Sequence, residues 1–161
     1  MTTLTASGCA FCVISTRPAT TRVIYASANV IAFFPLHPAA LGHTLVVPRR
    51  HIDDLWELKP ADVPSLMEAV LRVTHAIRDG LRPDGLNVIV SAGAAASQTI
   101  RHLHVHLVPR WGDDNFGEIW PRHDTDYSDE QAEQTASRIR AALEGGSASV
   151  GRDHARAARS S

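Results

Sequence analysis

This 161-residue chain has no excess of charge of either sign: 16 Lys and Arg stand against 17 Asp and Glu, for a formal net charge of −1. No global field gathers nucleic acid or an acidic membrane, so an anionic ligand must be held by local groups. Long apolar runs are missing as well, none reaching the ~18 residues that a bilayer requires. The opening MTTLTASGCAF has no basic start, and no apolar segment precedes Cys9 to serve as a lipoprotein signal. The expectation is a cytoplasmic protein without membrane or nucleic-acid partners. Cysteine is reduced to Cys9 and Cys12, in a Cys-x-x-Cys spacing that suits a metal site or a redox pair better than a structural disulfide. There is no internal repeat. With 44% hydrophobic residues the chain can fill one core but not two comfortable domains.

What is present falls into ordered patterns. TRVIYASANVIAFF reads as two short strands joined at Ala26 to Asn29, and HTLVVP as a third from His43 to Pro48. Leu66, Val70, Val73 and Ile77 recur at helical spacing in a segment that stops at Gly80. GLNVIVS, residues 85–91, is a near-continuous apolar strand, followed by the small-residue loop AGAAASQT. Ser128 opens a second helix with Gln131 in capping-box spacing, and Gly145-Gly146 closes it. These elements predict an α+β fold, five strands with two main helices on one side of the sheet. The domain is expected over 1–127, with a C-terminal helix over 128–146 on or beside it and a disordered tail over 147–161.

The densest signal is TIRHLHVHLVPRW, residues 99–111, in which His102, His104 and His106 alternate with Leu103, Val105 and Leu107. A strand sends successive side chains to opposite faces, so the imidazoles line one face and the aliphatics the other, about 7 Å apart along each row. One face is core and the other a site. A His-x-His pair can grip zinc, whereas a small-residue loop ending in Ser97-Gln98-Thr99 lets backbone N–H groups and polar side chains approach a phosphate. The loop favours phosphate, with histidine as nucleophile, acid or donor.

Taken together, His102 to Val108, the Gln98-Thr99 pair before it and GHTLVVPRRHIDDL (residues 42–55) resemble the histidine-triad, or HIT, family of nucleotide hydrolases and transferases. The resemblance covers roughly Cys9 to Phe116. It implies a five-stranded antiparallel α+β fold, a homodimer, and cleavage of a nucleotide at its α-phosphorus through a covalent nucleotidyl-histidine. It makes His104 the nucleophile, His102 its neighbour, and His106 a donor to the phosphate and bridging oxygen, with His43 completing the network. Gln98 and Thr99 would hold phosphate oxygens. It also implies a structural zinc held by Cys9, Cys12, His51 and His102; two thiolates suit zinc, but among nine histidines spacing alone does not select these two. His37, His75, His123 and His154 read as ordinary histidines.

Three positions depart from the family's pattern. Pro35 stands eight residues before His43, where an Asp or Asn usually holds the ribose hydroxyls. Ser91 replaces a common Asn or Gln, and Ser97 replaces the Gly before Gln98. The ending LVPRWGDDNF is closer to dinucleoside polyphosphate hydrolases than to the phosphoramidate-cleaving branch. A phosphoramidate hydrolase, a binding module with little turnover and a triad that ligates zinc stand as alternatives.

Overall fold

The computed structural model describes residues 8–17, 21–117, 119 and 127–157, with side chains as far as residue 145. The chain divides into two compact units, Met1–Gly117 and Glu118–Ser161. The first unit is built on an antiparallel sheet of β1 (Val23–Ala26), β2 (Val30–Phe33), β3 (Thr44–Pro48), β4 (Gly85–Ile89) and β5 (Val105–Arg110), in the spatial order β1-β2-β3-β5-β4. The five expected strands are all present, within about two residues of their expected ends. The histidine segment is the exception: strand pairing begins only at Val105, so His102 and His104 sit in the extended approach to β5.

Helix α2 (Val63–Leu81) presents Leu66, Ala69, Val70, Val73 and Ile77 at the spacing of one helical face. These pack on Val30, Ala32, Val46, Val105 and Leu107 of the sheet and on Leu103 just before β5. Arg82, in the left-handed conformation, ends the helix by returning its N–H to Arg78 O at 3.0 Å.

The opposite face is not bare, which corrects the expectation of helices on one side only. A short helix α1 (Ala10–Thr16), unforeseen in the sequence, places Phe11 against Ile31, Phe33, Leu45 and Val47. Arg49 fastens this arrangement beyond the end of β3, donating to Ser27 O at 2.8 Å and Ser15 O at 2.6 Å. β4 lies at the sheet edge, and Val88 is 52% exposed. After β5, Arg110 clasps Asp114 through 2.6 and 3.1 Å bonds and donates to Gly117 O at 3.1 Å. The guanidinium, with the N–H groups of Phe116 and Trp111, holds the Asp114 carboxyl far below the usual carboxylate range.

In the second unit, α3 runs from Asp129 to Ala157. Its start carries the expected capping box, with Gln131 Oε1 accepting from the Ser128 N–H at 2.8 Å and Ser128 Oγ from the Gln131 N–H at 3.2 Å. The helix passes through Gly145 and Gly146 rather than stopping there, so the part of the expected tail up to Ala157 is helical; 158–161 lie outside the described residues.

Candidate active site and metal centre

Pairing register decides which face each histidine occupies. Val105 lies opposite Val46 and His106 opposite Leu45, so Val105 joins the core under α2 while His106 shares the α1 face. The ring of His104 is 4.7 Å from that of His106, centroid to centroid, and Phe11 meets both His104 at 5.3 Å and His102 at 5.9 Å edge-on. The alternation read from the sequence therefore holds, across the approach to β5 and into its start. At the start of β3, Gly42 (φ +83°) delivers His43 to the same place; the left-handed backbone favours glycine, and a Cβ there would also crowd Leu81 Cδ1 and lie 3.3 Å from Pro109 Cγ.

Hydrogen bonds assign the proton on each ring. The Ala39 N–H donates to His43 Nδ1 at 3.0 Å, which leaves the His43 proton on Nε2. That N–H donates to His106 Nδ1 at 2.9 Å, so the neutral His106 carries its own proton on Nε2. His104 Nδ1–H donates to His102 O at 2.7 Å, leaving Nε2 with its lone pair. His104 is thus the ring with a nucleophilic nitrogen and His106 the ring with a donor. Burial, reinforced by the neighbouring His104 and His43, pushes His106 down to about 4, and burial with His104 also lowers His43.

The same face carries the second constellation. One donor atom from each of Cys9, Cys12, His51 and His102 lies within 4.8 Å of the others. Cys9 Sγ is 3.3 Å from His102 Nδ1, Cys12 Sγ 3.3 Å from His51 Nδ1 and 3.6 Å from His102 Nδ1. Donors on a tetrahedral zinc with ordinary Zn–S and Zn–N bonds stand roughly 3.3–3.8 Å apart, so the spacing fits that ion. Both Nε2–H groups are directed elsewhere: His102 donates to Pro48 O at 2.8 Å and His51 to Asp53 Oδ1 at 2.9 Å. This leaves both Nδ1 lone pairs for a metal, each ring oriented by an outer partner. The Arg101 guanidinium, then His51, holds the Asp53 carboxyl below its usual range.

The loop before the triad is braced from within by Gln98. Gln98 Oε1 accepts from the Gly93 N–H at 2.8 Å, and its amide donates to Asp53 O at 2.7 Å and Ile100 O at 3.1 Å. Both amide hydrogens are committed to main-chain oxygens, so Gln98 braces the loop. Ser97 (φ +64°) and Thr99 are exposed on the loop. Ser91 and Pro35 are half-buried, each two residues beyond the end of its strand, β4 and β2. His37 is exposed; His123 and the side chain of His154 lie outside the described residues. Phe11, Asp53 and Arg101 are the residues that sequence reasoning missed. Phe11 had a weak signal as the aromatic inside the Cys pair, whereas Asp53 and Arg101 are joined across 48 positions and had none.

The model of the HIT domain matches residues 16–113. The chain belongs to the HIT family. Protein hit of Bacillus subtilis (strain 168) is 35% identical over 135 residues, which cover 83% of this chain and 93% of that one. A HIT family protein from Bacillus anthracis has a crystal structure that superposes with a TM-score of 0.77 at 32% identity, covering 86% of this chain and 99% of the other. A zinc-bound histidine triad protein from Mycobacterium smegmatis matches with a TM-score of 0.64 at 31% identity, over 86% and 97% of the two chains. The adenylylsulfatase HINT3 of Arabidopsis thaliana is 31% identical over 102 residues, which cover 63% of this chain and 52% of that protein. HIT membership places the chain among nucleotide-binding hydrolases and transferases, and the five-stranded antiparallel sheet is the fold of its relatives.

Proposed function

We propose that this HIT protein cleaves nucleotides at the α-phosphorus through a nucleotidyl-His104 intermediate, acting on dinucleoside polyphosphates or related nucleotide conjugates. The proton assignment carries the reading: Nε2 of His104 is the unprotonated nitrogen because Nδ1–H is fixed on His102 O. Its lone pair forms the N–P bond as the bond from phosphorus to the leaving oxygen breaks, and His106 Nε2–H donates to the phosphate and bridging oxygen. Water then attacks phosphorus, the N–P bond breaks, and the nucleoside monophosphate leaves with the hydroxyl group. His43 holds the His106 tautomer throughout. Ser97 and Thr99 offer hydroxyls to the phosphate, and the half-buried Pro35 offers the ribose no polar side-chain atom.

Cys9, Cys12, His51 and His102 would hold zinc with all four positions filled by protein, which supplies structure rather than an open coordination site. The zinc-bound relative supports this assignment, and an adenylylsulfatase among the relatives fits a substrate that is a nucleotide conjugate. The HIT resemblance and the exposed Val88 on edge strand β4 support a homodimer. The deciding experiment is a panel of dinucleoside polyphosphates, adenylyl sulfate and nucleoside phosphoramidates with products identified by mass. His104→Ala is expected to lower turnover by roughly a thousandfold or more while nucleotide binding survives, and alkaline quenching of the wild-type reaction should trap one nucleotide on the peptide bearing residues 102–110. Activity within tenfold of wild type in His104→Ala contradicts the mechanism.

A further inference from the structure

We propose that Asp53 is a positioning residue that locks the loop of residues 93–99 to the Cys9–Cys12–His51–His102 cluster, so that metal occupancy sets the order of the loop leading into the triad. A single residue makes three kinds of connection. Its Oδ1 accepts from Nε2–H of the ligand His51 at 2.9 Å. Its Oδ2 accepts from Arg101 Nη2 at 2.7 Å and Nε at 3.1 Å, which binds it to the approach of β5. Its main-chain oxygen accepts from Gln98 Nε2 at 2.7 Å.

From Gln98 the path continues into the loop. Gln98 Oε1 holds the Gly93 N–H at 2.8 Å, and the Gln98 N–H returns to Gly93 O at 3.2 Å, closing the turn at both ends. Next to Asp53, Ile52 O accepts from the Leu103 N–H at 2.6 Å, so the segment 51–53 lies along the segment 98–103 and stitches it at successive residues. None of these loop contacts uses a packed apolar side chain; Ala94 to Ser97 are exposed. The order of the loop therefore depends on polar bonds, and Asp53 is where those bonds meet a metal ligand. A carboxylate on the outer nitrogen of a ligating histidine orients the ring and raises its basicity, and loss of such a partner commonly weakens metal binding by about 10–100-fold. By reciprocity, whatever orders the cluster also orders the loop.

The proposal rests on the nucleotide reading only in taking this loop as one that meets substrate; the coupling itself can be measured without turnover. Hydrogen exchange by mass spectrometry on the full-length, zinc-loaded protein would follow peptides covering 93–99, with a peptide from 66–77 of α2 as the reference, before and after chelation. Zinc affinity would be read by competition with a chromophoric chelator.

In wild type, chelation should quicken exchange in 93–99 about tenfold while α2 is unchanged. In Asp53→Ala the loop should exchange fast already with zinc bound, chelation should add less than about twofold, and zinc affinity should fall by about 10–100-fold. Asp53→Asn, which keeps an acceptor for His51 but loses the ion pair with Arg101, should recover part of both effects; Arg101→Ala offers the same comparison if Asp53→Ala does not fold. A loop indifferent to chelation, equal quickening in wild type and Asp53→Ala, or quickening shared by α2 would each overturn the coupling. An active His104→Ala enzyme would instead sink the nucleotidyl-histidine reading and leave this one standing.

Discussion

At the scale of single residues, the chemistry of a histidine depends on which nitrogen keeps its proton, and here each choice is fixed by a hydrogen-bonding neighbour. The Ala39 N–H and His43 settle His106, and the carbonyl of His102 settles His104. The low value of His106, about 4 against an ordinary 6.5, has a consequence for stability. Above pH 6.5 both the folded and unfolded states are neutral at this site. Between 6.5 and about 4 the unfolded chain takes up a proton that the folded protein refuses, so stability falls with pH; below about 4 both states are charged and the loss stops. At about 1.4 kcal/mol per pKa unit the full effect is roughly 3 kcal/mol, reduced wherever water reaches the ring. Urea midpoints measured from pH 7.5 to 4.5 should fall more steeply for wild type than for His106→Asn. Parallel curves would assign the acid sensitivity to groups other than His106. The residue types of this site, three alternating histidines and two spaced cysteines, were legible in the sequence, and the HIT resemblance supplied His43 and His51. The bracing bonds of Gln98 were not legible, because a polar side chain near a phosphate loop looks the same on paper whether its amide faces a ligand or braces the loop.

At the scale of elements, the sequence showed the strands and α2, where alternation or helical spacing repeats several times, and hid α1. Helix α1 has seven residues, includes Val13, Ile14 and Thr16, and lacks a side-chain cap, so local preference gives it little support. Tertiary contacts hold it: Phe11, 6% exposed, sits edge-on to Phe33 at 5.5 Å and to His104 at 5.3 Å. Phe11→Ala should therefore cost about 3–4 kcal/mol, in the range of other buried Phe truncations, and should loosen the His104 ring as well as the fold. Denaturant titration measures the first effect; broadening of the His104 ring resonances in NMR measures the second. A cost below about 1 kcal/mol would mean that α1 is held by the metal cluster alone. The apolar run of β4 was legible as a strand, but its place in the sheet was not: composition does not reveal that, among the described residues, only β5 pairs with it and that its outer side is an edge.

At the scale of the whole molecule, length and composition allowed one core, and the structure places both of its apolar clusters between Phe11 and Leu107. The family match ends at residue 113, and the Arg110–Asp114 clasp, which reaches Gly117 O, closes the first unit at its own boundary. Every hydrogen bond described here for the triad, the cluster and the loop lies within the first unit. The second unit has different physics: the described hydrogen bonds of α3, such as Gln134 to Glu130 and Thr135 to Gln131 O, are local, and Ile139 and Leu143 are 58% and 68% exposed. A chain ended after residue 117 should accordingly fold and bind about one zinc per chain. Its melting temperature should lie within about 5 °C of the full chain, a shift worth roughly 1 kcal/mol for a unit of this size. Its turnover on the preferred nucleotide should stay within about threefold, since a uniform loss of that size corresponds to less than about 1 kcal/mol of transition-state stabilisation. Elemental analysis, calorimetry and the nucleotide panel test these expectations together. A truncated chain that folds and holds zinc yet loses turnover would assign residues 118–161 a part in substrate binding, whereas one that loses zinc would show that the second unit supports the cluster.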